Sequence, residues 1–375
     1  MDRRNFLRAT AAVTIMVANG QVWRAFAQDD IHTEIPDGPE FEPWRTWNQD
    51  AQVGSLALVR AAILSANCFN TQPWLFKVTD QQIEVYADSK RNLGAFDPYL
   101  REMHFSLGCA LENLMLTAAA NGYKVSLSYV SSALKPPPAD GAPELAARID
   151  VGRGAPKRGG ELYDAIPHRH TNRNRFDPQR PLPPAFIDQV RALKEDDVRV
   201  FTFVGPEQVG KVADAVADAT VELNSDPEVQ KGTRPWIRTT REQQRELRDG
   251  SFVEAGVNAR TTPTAYRDLM KTAPVFGLIA VRDRYDRAQT MRAGRVWQRA
   301  HLLATARHIA ARPANGSVEL IDHQRDKGQP AKSAETLAQF TGDASWQPTF
   351  MFYMGYALRL APASPRRDID TVRIL

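Results

Sequence analysis

Two segments carry residue types whose spacing suits ligand chemistry. Asn70-Thr71-Gln72-Pro73-Trp74-Leu75-Phe76 sets a polar loop against an aromatic strand. Asn and Gln amides both donate and accept hydrogen bonds, which suits a heterocycle with urea-like edges. Ile166-Pro167-His168-Arg169-His170-Thr171-Asn172-Arg173-Asn174-Arg175-Phe176 places three arginines and a threonine hydroxyl within seven residues. Guanidinium groups take phosphate oxygens in bidentate fashion, so this run fits a receptor for a phosphate dianion. It also fits a solvated basic loop, and chemistry alone leaves both open.

Other site types are excluded. No Gly-x-x-x-x-Gly-Lys-Ser/Thr phosphate loop is present. Gly152-Arg153-Gly154 lies near further glycines, but Pro156 and two basic residues spoil a dinucleotide-binding turn. The seven histidines include His168/His170 and His301/His308, and none has zinc-motif spacing, so no metal site is expected. Two cysteines rule out a disulfide scaffold and a four-thiolate cluster. Cys68 and Cys109 would pair in an oxidising compartment only if the fold brought them together.

The chain has 375 residues, 43% of them hydrophobic and 25% charged, which suits a globular protein of two or three domains or one duplicated domain. The net charge of +4 would suggest nucleic acid as a partner, but residues 1–27 hold Arg3, Arg4, Arg8 and Arg24 against Asp2. The remainder has 44 basic and 43 acidic residues, so no nucleic-acid partner is expected. Arg3-Arg4-Asn5-Phe6-Leu7, a short apolar run from Ala9 to Val17 and Ala25-Phe26-Ala27 resemble a twin-arginine export signal cleaved after Ala27. That resemblance implies passage through the twin-arginine export machinery to the periplasm, already folded. The apolar run is too short for a membrane span, so no stable membrane insertion is expected.

The elements that must position the two segments follow from periodicity. Residues 28–50 are polar, acidic and Pro-rich and read as an extended arm with Trp44 and Trp47 as anchors. Leu56, Val59 and Ile63 stripe a helix. Leu75–Val78 and Gln82–Ala87 form a hairpin across Thr79-Asp80-Gln81. Asp97-Pro98 caps a helix striped by Leu107, Leu111 and Leu114, which stops at Asn121-Gly122. Strands follow at Ser126–Ser131 and Ala147–Val151. In the second half, helices are expected at Pro184–Leu193, Lys211–Asn224 and Gly294–Ala311, and strands at Arg199–Val204, Pro274–Val281 and Thr349–Leu360. A faint repeat aligns Gly108 with Gly294, Leu116 with Leu302 and Ala118 with Ala304. Helices and strands alternating in both halves imply a mixed α/β layer fold.

With these motifs placed, Asn70-Thr71-Gln72-Pro73-Trp74 resembles the Asn-x-Gln-Pro-Trp loop of the FMN-dependent nitroreductase family. Arg169-His170-Thr171-Asn172-Arg173 is similar to that family's phosphate-gripping Arg-x-Ser-x-Arg/Lys. Ser364-Pro365-Arg366-Arg367 is similar to its C-terminal basic contact, and Arg312-Pro313-Ala314-Asn315-Gly316 to its Pro-x-Glu-Gly-type ring loop. The nearest branch is the single-chain Acg-type group. The resemblance implies an α+β nitroreductase-like fold, a tandem pseudo-dimer of two mixed-sheet halves flanked by helices. The halves are 51–157 and 158–375, the second with a lid-like insertion at 225–260. It also implies one FMN per chain. Arg169, Thr171, Arg173 and one or both of Arg366 and Arg367 would hold the phosphate, with His170 also among the cofactor-binding residues. Asn70 and nearby Asn67 and Cys68 would meet the ring from the first half and a backbone N–H around Asn315-Gly316 would face the flavin N5 region, with Gln72 and Pro313 also among the cofactor-binding residues.

Two departures stand out: Ala66-Asn67 replaces the family's Pro-Ser, and Asn315 its acidic ring-loop residue. The implied activity is an exported flavin-dependent oxidoreductase that reduces a nitroaromatic, a quinone or a similar small-molecule electron acceptor. No catalytic side chain is expected, because the flavin carries the electrons. Two alternatives are a protein that stores or sequesters flavin behind its lid with little turnover, and an interaction protein that has lost flavin. The periplasm is expected to hold little free NAD(P)H, so the resemblance leaves the electron donor open.

Overall fold

A computed structural model describes residues 14–18, 21–25, 35–49, 54–155, 157, 159–253 and 263–374. Met1–Glu34 and Ile35–Leu375 are separate compact units. In the first, Thr14–Ala18 and Gln21–Ala25 pair antiparallel. Arg3-Arg4 and the expected cleavage point after Ala27 lie outside the described residues.

The second unit holds two five-stranded sheets. In one, Trp74–Val78 and Gln82–Ala87 make the expected hairpin, closed by Thr79 N–H donating to Gln82 O at 2.8 Å. Ile83, Val85 and Ala87 are buried and alternate with half-buried neighbours, the pattern of a strand with one face in the core. Glu144–Arg153 and Tyr123–Tyr129 extend this sheet beyond Gln82–Ala87, and Arg373–Ile374 adds a parallel strand beside Trp74–Val78. In the other sheet Val198–Val204, Val275–Val281, Gln347–Gly355 and Ala310–Pro313 lie in that order, all antiparallel, with Lys194–Glu195 on the edge. Val275–Val281 is buried at every residue, as its continuous apolar run requires. If the four principal strands are counted along each half of the chain, both sheets run first, second, fourth, third. A twenty-residue helix joins the second strand to the third in each.

These two helices, Arg101–Ala120 and Arg287–Ala306, cross at the glycines that the repeat aligns. A Cβ on Gly108 would stand 2.0 Å from the Met291 carbonyl oxygen, and one on Gly294 2.0 Å from that of Phe105. Only glycine permits backbones to approach so closely.

Some boundaries differ from expectation for physical reasons. The first long helix starts at Arg101 rather than behind Asp97-Pro98, because Leu100 adopts φ 59°. The Asp97 carboxylate still caps it, accepting from Glu102 N and Met103 N at 3.1 Å each. The second spans Arg287–Ala306 rather than Gly294–Ala311: Asp286 caps it through Gln289 N at 2.7 Å, and His308 at φ 56° ends it. Ala310–Pro313 is therefore a strand. The arm is not extended: Pro39–Phe41 and Glu42–Arg45 are helical turns, and Trp44 and Trp47 are buried in the first core. Among the described residues no helix is long and apolar enough to cross a membrane.

Candidate functional site: one cleft with a basic and an acidic end

The loop after the Leu56–Ala62 helix holds an uncommon backbone. Phe69, Asn70 and Gln72 have φ of 49°, 55° and 49°, a region that costs non-glycine residues about 1–3 kcal/mol each. The loop is fixed from within and from beneath. Asn67 Oδ1 accepts from Gln72 N at 2.9 Å, Thr71 N donates to Cys68 O, and Cys68 N donates to Ser106 Oγ at 3.2 Å. Strain held in this way marks a segment whose shape the surrounding structure enforces.

Asn67 stands between two connected pockets. The polar one is lined by Asn67, Asn70, Arg169, His170, Thr171, Arg173, Gln244, Gly250, Ser251 and Arg366, among others. Residues separated by almost the whole unit thus meet at one place. Arg366 Nη1 donates to Asn70 Oδ1 at 2.8 Å, and Arg366 and Arg169 both donate to Leu64 O, at 3.4 and 3.1 Å. Arg169 is 3% exposed and Arg366 2%, and among the described residues neither forms an ion pair. Both Nε atoms are buried without a partner. Burial pushes the Arg169 guanidinium down to about 10, and burial followed by the charge of Arg169 pushes Arg366 well below the arginine range. An uncompensated buried cation is costly, and a bound anion relieves that cost. His170, edge-on to Trp44 at 4.6 Å, is held neutral by burial and by the neighbouring arginines.

The larger pocket has about 940 Å³ of empty space, its open mouth included. One wall is aromatic: Phe105 stacks on Phe350 at 4.2 Å, and Trp297 packs against Phe350 at 5.0 Å. Phe69 and Phe96, edge-to-face at 5.3 Å, stand at another side, with Pro313, Gly316, Leu223 and Tyr266 completing the lining. Gly316 is tightly held, since a Cβ there would meet Thr220 Oγ1 at 2.2 Å.

The part of its lining that it does not share with the polar pocket is acidic. Glu102 and Glu319, in the first turns of helices Arg101–Ala120 and Gly316–Asp326, both line it. Asn315 Nδ2 bridges them, donating to Glu102 Oε1 at 2.6 Å and Glu319 Oε1 at 3.0 Å. Its amide orientation is fixed because Oδ1 accepts from Met351 N at 2.9 Å. Behind Glu102, Arg101 pairs with it at 2.8 Å and with Asp322 at 2.6 Å, and Arg284 pairs with Asp322 at 2.9 Å. Burial raises the pKa values of Glu102 and Glu319, and raises Asp97 to about 7. The Cys68 thiol, raised by burial and the surrounding carboxylates, hydrogen-bonds Glu102. Cys68, Glu102 and Glu319 each bring one ligand-type atom within 4.8 Å of the others, a grouping that the sequence reading, with no metal expected, did not contain.

Of the residues singled out in the sequence, Asn67, Cys68, Asn70, Arg169, His170, Thr171, Arg173, Pro313, Asn315, Gly316 and Arg366 line the connected pockets. Gln72 and Arg367 do not. Gln72 is fully buried, and its amide is spent on backbone, Nε2 on Arg248 O at 2.7 Å and Oε1 on Arg367 N at 2.8 Å. Arg367 turns to Gln72 O and Thr371 O. Both bolt the C-terminal segment to the loop. Cys68 and Cys109 line the same pocket as free thiols. Sequence reasoning missed Glu102, Glu319, Phe105, Trp297 and Phe350. The aromatics sit on core-facing stripes and carried no signal of their own, whereas Arg101-Glu102 just behind a capping aspartate was a readable oddity on an apolar helix.

Of 225–260, residues 225–253 form helices Pro227–Thr233 and Arg241–Leu247 and two short paired strands. Residues 254–260 lie outside the described residues. The segment is fastened to the first half by Arg91–Asp249, by Trp236 Nε1 on Asn92 O at 3.0 Å and by Gly250 N on Asn70 O at 3.2 Å, and to the arm by Arg245–Glu40. Gln244, Gly250 and Ser251 line the polar pocket.

No protein-family model and no curated protein matches the chain. Among solved structures, similar chains include the FMN- and NADPH-dependent nitroreductase NfnB from sphigopyxis sp. strain HMH, at 19% identity and TM-score 0.39 over 56% of this chain and 96% of that one. A nitroreductase with bound FMN from Desulfitobacterium hafniense DCB-2 is similar at 14% identity and TM-score 0.38 over 58% and 98%. The FMN-dependent nitroreductase NfnB from Mycobacterium smegmatis, in complex with NADPH, is similar at 15% and 0.35 over 56% and 96%.

Proposed function

We propose that the chain is an exported FMN-dependent oxidoreductase of the nitroreductase type, reducing a nitroaromatic, a quinone or a similar small electron acceptor. One observation carries this reading: Arg169 and Arg366, from distant parts of the chain, are buried side by side with no carboxylate partner among the described residues, at the polar end of an aromatic-walled cleft. The FMN phosphate would supply the missing negative charge, and the flavin's planar ring would lie along the adjoining larger pocket. Arg169, Arg173, Arg366 and Thr171 would hold the phosphate, with Asn67, Cys68, Pro313 and the Asn315-Gly316 backbone along the ring. When bound, the flavin supplies the redox chemistry, and the protein contributes binding, orientation and electrostatics.

In this reading the chain is a fused pseudo-dimer with halves 51–157 and 158–375. The matching strand order and the glycine crossing support that organisation. Export by the twin-arginine route to the periplasm rests on the sequence of residues 1–27 alone.

A second reading, flavin storage with little turnover, is favoured by one feature. The 225–253 segment lines the phosphate end while latched to the first half, as a lid would be. Absorption spectra of the purified protein test the binding claim. The expected result is a yellow protein with one FMN per chain; a colourless protein that FMN cannot reconstitute overturns both readings, and two FMN per chain overturns the single cleft. Mixing the reduced protein with a nitro or quinone acceptor then separates them: reoxidation supports the oxidoreductase, and its absence with every acceptor supports storage.

A further inference from the structure

Glu102 and Glu319 have unequal surroundings although one amide joins them. Glu102 receives Arg101, the Cys68 thiol and Asn315 Nδ2. Glu319 receives only Asn315 Nδ2, at Oε1, and among the described residues its other oxygen has no hydrogen-bond partner. Glu319 is nonetheless 3% exposed and lines the cleft. Three donors stabilise charge on Glu102, whereas a buried carboxylate with one donor keeps its proton. Asp97 and Asp322 add repulsion to the pair, Arg101 acts on both carboxyls but is shared with Asp322, and Arg173 and Arg312 line the same pocket. A divalent metal would provide an offset, but Asn315 Nδ2 is a donor locked toward both carboxylates by Met351 N, and a donor there opposes coordination.

We propose that Glu319 holds the proton of a Glu102–Glu319 carboxyl pair and delivers it to an oxygen or nitrogen atom of an electron acceptor bound in the cleft. The proposal rests on the oxidoreductase reading above for its acceptor. Reduction of a quinone to a hydroquinone takes two electrons and two protons; reduced flavin, as the electron-donor class, accounts for both electrons and one proton. Glu319 accounts for the other. Its O–H bond breaks, the electron pair stays on the carboxylate, an O–H bond forms on the acceptor, and water at the mouth of the cleft returns the proton. Burial moves the pKa values of both carboxyls upward, the direction that a retained proton requires.

Infrared spectroscopy of the flavin-free protein tests the store by itself. At pH 7 a protonated-carboxyl C=O band is expected that shifts on ¹³C-glutamate labelling, which excludes Asp97, and that vanishes in Glu319→Gln. No such band, or its loss on stoichiometric uptake of Zn²⁺, overturns the proposal. The wild-type titration needs no variant to fold. For delivery, the pre-reduced flavin-loaded protein is mixed with a quinone. Glu319→Gln should reoxidise about 10²-fold more slowly, the lower range for loss of a general acid, with FMN affinity within about twofold of wild type. An unchanged rate overturns delivery. A protein that takes up no flavin overturns the oxidoreductase reading and the delivery step together, and the infrared band still decides where the proton sits.

Discussion

The two ends of the cleft handle buried charge in opposite ways. At the basic end Arg169 and Arg366 lie close together with carbonyl and amide acceptors but, among the described residues, no carboxylate. At the acidic end Glu102, Glu319, Asp97 and Asp322 are met by Arg101 and Arg284, and burial raises the pKa values of Glu102, Glu319 and Asp97. A carboxyl can shed its charge near neutral pH by taking a proton, but a guanidinium cannot shed its own. The acidic end is therefore complete by itself, and the basic end is complete only with an anion.

The largest expected effect breaks the basic end. Replacing both Arg169 and Arg366 with Ala removes two charge-assisted contacts of about 1.5–3 kcal/mol each, so FMN affinity should fall about 10²–10⁴-fold. Riboflavin, which lacks the phosphate, should lose far less, and fluorescence titration of the two ligands reads the difference. Equal losses would mean that the arginines hold the cleft's shape rather than an anion.

A smaller effect should appear in the pH dependence of stability, with opposite slopes from the two ends. Glu319 has its pKa raised on folding, so its contribution is full below about 4.5 and is lost as pH rises through the folded value. His170 has its pKa lowered, so stability falls as pH drops below about 6.5, where the unfolded chain takes the proton first. Each group accounts for at most about 1.4 kcal/mol per pH unit. In urea titrations between pH 5 and 7, Glu319→Gln should flatten the fall in stability with rising pH, and His170→Gln should flatten the fall with lowering pH.

The smallest effect sharpens the boundary of the basic end. Arg367→Ala removes bonds to Gln72 O and Thr371 O and the 3.8 Å ion pair with Asp88, none of them in the cleft lining. It should cost about 1 kcal/mol of stability and leave FMN affinity within about twofold. A loss as large as that of Arg366→Ala would place Arg367 in the site after all.

Much of this was legible in the sequence, for identifiable reasons. The hairpin and the first helix stop follow from local chemistry: period-two alternation at Ile83 and Val85, and Gly122 at φ 79°. The arginine run and the Asn70 loop were readable as polar groups beside apolar strands. Their meeting was not, because Arg366 Nη1 reaches Asn70 Oδ1 across 296 residues. Gln72 and Arg367 misled for the complementary reason: residue type shows capacity to bond, and backbone partners elsewhere had already used it. The start of the second long helix was hidden by Arg287 and Arg292, charged residues that blur an apolar stripe although Arg287 is buried against Glu144. Glu319 was unreadable because its significance depends on Glu102, which comes from another helix.

The crossing of the two central helices reaches beyond their own packing. Phe105, Ser106 and Cys109 flank Gly108, Trp297 follows Gly294 by three residues, and all four of these neighbours border the cleft. The width of the slot is thus set by two hydrogen atoms at a contact no ligand reaches. A single methyl group added there would push the helix that carries Phe105 and Ser106 away from the one that carries Trp297, altering what fits between them.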